Sequence, residues 1–69
     1  MTTAQFNQDA HTVLAETQPK LLAVVNQAIG MNQTPEQIEK FVSRRCPKHS
    51  VIPGLCRGAA EYLYTAKSN

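Results

Sequence analysis

Apolar side chains recur at helical spacing through most of the 69-residue chain. The pattern predicts helices over about 4–16, 19–29, 35–45 and 53–66 and no strand. The expected fold class is therefore all-α, a single small bundle of three or four short helices. Since little chain separates the last two helices, we expect them to form a helical hairpin.

Helix boundaries are marked by residues with specific backbone chemistry. Gly30 follows the second apolar segment, where a left-handed glycine commonly ends a helix. Thr34, Pro35 and Gln37 match a capping box with proline at the first helical position. Pro47 should end the third helix, because the residue before a proline disfavours helical geometry.

The second helix is apolar over most of its circumference, which favours a central, packed position. Gly58 weakens the last helix or allows another helix to come close. The apolar faces are generous for so short a chain. We therefore expect either a homodimer or an apolar surface that a partner covers.

Composition argues against several function classes. The chain is too short for a nucleotide-binding α/β layer, and no apolar run is long enough to span a membrane. Its first residues, MTTAQFNQDA, lack the basic and apolar regions of a secretory signal. No catalytic motif, phosphate loop or cofactor motif is present, so we expect neither an enzyme nor a cofactor. A zinc site would have to combine Cys46, His49 and Cys56 with distant His11, and we expect no metal.

Charge is unevenly distributed although the net charge is only +2. The segment 40–57 contains no acid and carries Lys40, Arg44, Arg45, Lys48 and Arg57. This block is either a solvated face or a patch for an anionic partner, namely lipid headgroups, an acidic protein surface or phosphate. Tyr62 could anchor such an interface or be an ordinary half-buried residue. We do not expect nucleic acid as a partner, because the basic excess is small.

The chain has two cysteines, Cys46 and Cys56, ten positions apart across the expected hairpin. A disulfide between them would contribute roughly 2.5–3 kcal/mol by loop-closure entropy. An exported chain would carry the bond and a cytoplasmic chain would keep both thiols reduced, so the compartment stays open.

The order of these features resembles the central part of saposin-like proteins of the B type. The resemblance spans about 20–64 and rests on Thr34-Pro35-Glu36-Gln37-Ile38, Cys46, Cys56, Ala60, Tyr62 and Leu63. Saposin-like chains normally carry six cysteines, and four of those have no counterpart here. The resemblance implies a clamped helical hairpin whose apolar inner faces hold acyl chains while the basic block meets anionic headgroups.

Two functions are therefore expected. The first is a non-enzymatic, saposin-like module that interacts with lipid or membrane. The alternative is a cytosolic protein-binding regulator or inhibitor with reduced cysteines, which acts by occupying a partner's surface.

Overall fold

The computed structural model describes residues 3–48 and 51–68, without the side chains of Lys67 and Ser68. Four helices make up the fold: α1 Thr3–Thr17, α2 Pro19–Gly30, α3 Pro35–Arg45 and α4 Ile52–Ser68. No strand occurs within the described ranges. The all-α class predicted from the sequence is confirmed.

Helix α4, not α2, is the centre of the bundle. It packs extensively against α1 and α3 and less extensively against α2. Ala59 and Ala60 on α4 are fully buried, and such small side chains let neighbouring helices approach its axis. The expectation of a central α2 was wrong, because an apolar circumference does not ensure that neighbours cover it. The buried core consists of Leu14, Val25, Ile29, Ile38, Val42, Cys56, Ala59 and Ala60.

Helices α1 and α4 approach each other closely at Gly58, as its position in the sequence suggested. A Cβ atom at Gly58 would lie 3.0 Å from Cε1 of Phe6 and 3.1 Å from Cβ of Ala10. Both distances are shorter than ordinary van der Waals contact. The absence of a side chain at Gly58 therefore sets the spacing between these two helices.

The turn between α2 and α3 is fixed by hydrogen bonds at both helix ends. Gly30 remains helical, and the left-handed residue is Asn32 with φ of 64°. The N–H of Gln33 donates to the carbonyl of Ala28 at 3.1 Å, which completes a Schellman motif. On the α3 side the predicted capping box is present, with Thr34 and Gln37 bonded reciprocally. The left-handed position was therefore expected two residues too early, and α2 ends at Gly30, one residue beyond the predicted end.

Helices α3 and α4 form the antiparallel hairpin, because Tyr64 near the end of α4 donates to the carbonyl of Gln33 just before α3. The expected disulfide across this hairpin is not supported, since Cys46 and Cys56 are both free thiols. Cys56 is the fifth residue of α4 and is enclosed by the core, whereas Cys46 caps the end of α3 and is partly exposed. Core packing around Cys56 holds the hairpin together without a covalent bond.

Candidate binding groove between α2 and α3

An apolar groove runs between α2 and α3, on the side of the bundle where helix packing is thinnest. It consists of two adjoining hollows of about 250 and 400 Å³, both bordered by Val24 and Phe41. Ala28, Met31 and Ile38 line the first hollow. The two helices lie side by side here without closing on each other, which leaves the concave surface open.

The walls of the groove expose large apolar side chains. Phe41 is 43 % exposed, Val24 is 40 % exposed and Met31 is 65 % exposed. Phe41 directly precedes buried Val42, and Val24 directly precedes buried Val25. A one-residue step along a helix turns the side chain by about 100°, so each buried residue faces the core while its neighbour faces the groove.

One end of the groove is cationic. Lys20 from α2 and Arg45 from α3 border the second hollow together with Cys46. The Arg45 guanidinium lies 5.5 Å from the centre of the Phe41 ring, in a cation–π arrangement. The opposite end is bordered by the neutral residues Gln27, Met31 and Gln33. No carboxylate lines either hollow, and the only charged side chains among their lining residues are those of Lys20 and Arg45.

Four of the five predicted basic site residues are exposed on or beside α3. Arg45 borders the groove, whereas Lys40 and Arg44 border a shallower hollow on the outer side of Phe41. Lys48 is exposed in the turn that follows α3. The structure therefore places these cations on α3, which forms one wall of the groove, and on the turn that follows it.

Arg57 occupies a different environment, surrounded by carboxylates. Its guanidinium lies 3.3 Å from Glu39, 3.8 Å from Glu61 and 4.0 Å from Glu36. Glu61 also accepts a hydrogen bond from Asn7 of α1 at 3.1 Å. These contacts connect α4 to α3 and α1, and their partial exposure limits each pair to at most about 1 kcal/mol. Arg57 is thus already engaged within the chain, away from the exposed cations.

Tyr62 of α4 is half-buried, with its ring against His11 of α1. Its ring centre is 4.9 Å from that of His11, with the ring planes inclined by 39°.

His49, considered as a zinc ligand, lies outside the described residues. Among the residues that are described, no three histidine, cysteine or acidic side chains are grouped to hold a metal ion. The same part of the chain has no helix long and apolar enough to cross a bilayer.

The two thiols differ in their access to solvent. Burial raises the pKa of Cys56 to about 11, with a smaller coulombic contribution from Cys46. Cys56 is therefore protonated and shielded at neutral pH, which makes it a poor nucleophile. Cys46 borders the groove and is partly exposed, so reagents can reach it.

The chain matches no protein-family model, no curated protein and no solved structure. The saposin-like resemblance therefore stays a prediction. The sequence did not predict the groove or a role for Lys20, which is the only lysine or arginine in the first half of the chain. The all-round apolarity of α2 was the available signal, since a surface that wide exceeds what one neighbouring helix covers.

Proposed function

We propose that this protein is a non-enzymatic binding module whose α2–α3 groove receives an apolar helical segment of a protein partner. The observation that carries the proposal is the concave, apolar surface bordered by Val24 and Phe41. Amphipathic helices bind in such grooves through apolar side chains spaced one turn apart. A groove that follows α2 from Lys20 to Met31 is about 16 Å long and matches about three turns of a bound helix.

Shape and packing favour a protein segment over lipid. Acyl chains held between the inner helix faces would have to displace Leu14, Val25 and Ile38, each at most 2 % exposed. A membrane surface is flat and is better met by protruding apolar side chains than by a groove. The exposed cations of α3 nevertheless suit anionic headgroups, so the saposin-like lipid function remains the second candidate.

The chain offers a matched pair of variants to test this function. Val24 borders the groove and Val13 lies on α1 outside it, and each is 40 % exposed. We would titrate the labelled protein by NMR with a short helical peptide that has leucines at i, i+3, i+4 and i+7 and glutamines elsewhere. Shifts should map to α2 and α3, and Val24→Asp should weaken binding at least tenfold while Val13→Asp leaves it unchanged.

Equal losses from the two aspartate variants, or shifts on the α1–α4 side, would contradict the proposal. A parallel titration with anionic phosphatidylglycerol vesicles tests the second candidate. Vesicle binding that weakens with salt, together with no groove-dependent binding of the peptide, would replace the protein-binding function with the lipid-binding one.

A further inference from the structure

The charge on the groove is confined to one end, and a bound helix would experience that asymmetry along its length. Lys20 and Arg45 border the end where α2 begins and α3 finishes. The end near Met31 has only glutamines and apolar side chains. Because α2 and α3 run antiparallel here, their helix dipoles oppose each other, and the side-chain charges dominate.

These cations are also free to meet a partner. All ion pairs found in the described part of the chain belong to Arg57, which gathers Glu36, Glu39 and Glu61. The acids of α3 and α4 are thereby held on a different side of α3 from the groove. Arg45 instead lies over the Phe41 ring, which orients its guanidinium beside the apolar surface.

We infer that the groove binds an acidic amphipathic helix, with the acidic end of that helix beside Lys20 and Arg45 and its apolar face on Val24 and Phe41. The inference rests on the proposed function and adds the chemistry and the direction of the partner. Carboxylates are its natural complement, because they pair with both cations at the rim while leucine-like side chains enter the hollows.

The first test compares peptides that share one apolar face. One peptide carries two glutamates at one end, and two others carry glutamines or lysines at those positions. The acidic peptide should bind about fivefold more tightly than the glutamine peptide, as expected for two exposed ion pairs, and the gain should vanish at high salt. Lys20→Glu with Arg45→Glu should reverse the order, so that the lysine peptide binds best.

A second double variant controls for net charge. Lys40→Glu with Arg44→Glu changes the charge equally but lies on the outer side of Phe41. It should leave the acidic peptide preferred. Equal affinities for the three peptides in the unmodified protein would overturn the inference. The proposed function would survive that result if the glutamine peptide still needed Val24.

Cys46 provides a native reporter of direction because it borders the cationic end of the groove. An acidic peptide carries a cysteine activated as its 2-pyridyl disulfide, whose S–S bond breaks in the exchange, either at its acidic end or at its other end. The Cys46 thiolate attacks the peptide sulfur, a protein–peptide disulfide forms, and pyridine-2-thione leaves. The adduct, measured by intact mass, should form at least tenfold faster from the acidic end and should be absent in Cys46→Ser. Equal rates from both ends, or a faster reaction from the other end, would overturn the direction.

Discussion

The α1–α4 and α2–α3 sides of the bundle have similar proportions of apolar residues and reach opposite outcomes. On the first side, Gly58 and Ala10 bring two helices into direct contact. On the second, Val24 and Phe41 hold two helices beside an open groove. Small residues at a helix contact lead to a closed interface, whereas larger side chains turned away from the core leave apolar surface for another molecule. The molecule thus separates the contacts that stabilise it from the apolar surface that the proposed partner would cover.

The largest expected effect comes from crowding the closed side. Gly58→Val places a branched side chain where even a Cβ atom would be 3.0 Å from the Phe6 ring. Because α1 must move away, the variant should lose about 3 kcal/mol of unfolding free energy, measured by urea denaturation followed by circular dichroism.

Gly54→Val is the matched control, since Gly54 lies on the same helix and a Cβ there meets nothing within 4 Å. It should be neutral or stabilising by a few tenths of a kcal/mol, because valine has the higher helix propensity. Similar stabilities for the two variants would mean that the α1–α4 contact is not close at Gly58.

The next effect depends on pH and tests whether the core around Cys56 stays closed. Burial raises the pKa of Cys56 from 9.0 to about 11, so the folded state keeps a proton that the unfolded state loses. Stability from this residue is intact below pH 9.0 and falls as pH rises toward 11, by roughly 2 kcal/mol.

Cys56→Ala isolates this contribution from the lysines and tyrosines that also titrate at high pH. Urea denaturation at pH 8 and pH 11 should show a smaller loss of stability in Cys56→Ala than in the unmodified protein. Parallel losses in the two proteins would show that water reaches the thiol in the folded state.

Helix boundaries were predictable where the residues that form them are close in the sequence. The Thr34–Gln37 capping box spans three residues, so the letters alone specify it. The position of the left-handed residue was not predictable, because Gly30 and Asn32 both tolerate that conformation. The choice of Asn32 extends α2 past buried Ile29 by one further residue.

Contacts between residues that are distant in the sequence determine the features that could not be predicted from it. Arg45 and Arg57 belong to the same basic block, yet Arg45 meets Phe41 and Arg57 meets carboxylates from two helices. Similarly, Val24 and Val25 are identical in chemistry, and only the placement of the neighbouring helices makes Val25 part of the core. Periodicity identifies an apolar face but does not identify the neighbour that covers it.

The smallest expected effect concerns the turn that joins the two walls of the groove. Thr34 accepts a hydrogen bond from the Gln37 N–H at 3.2 Å, and its own N–H donates to the Gln37 side chain at 2.9 Å. Thr34→Ala removes the hydroxyl acceptor and should lower the unfolding free energy by about 1 kcal/mol in urea denaturation. Thr12→Ala is the control, because Thr12 is an exposed mid-helix residue of α1 whose hydroxyl donates only to the Gln8 carbonyl. Alanine has the higher helix propensity there, so the control should gain a few tenths of a kcal/mol. A loss of stability in Thr34→Ala together with a gain in Thr12→Ala would show that the capping box stabilises the turn between α2 and α3. Equal losses in the two variants would show that the capping box contributes nothing beyond an ordinary threonine hydroxyl.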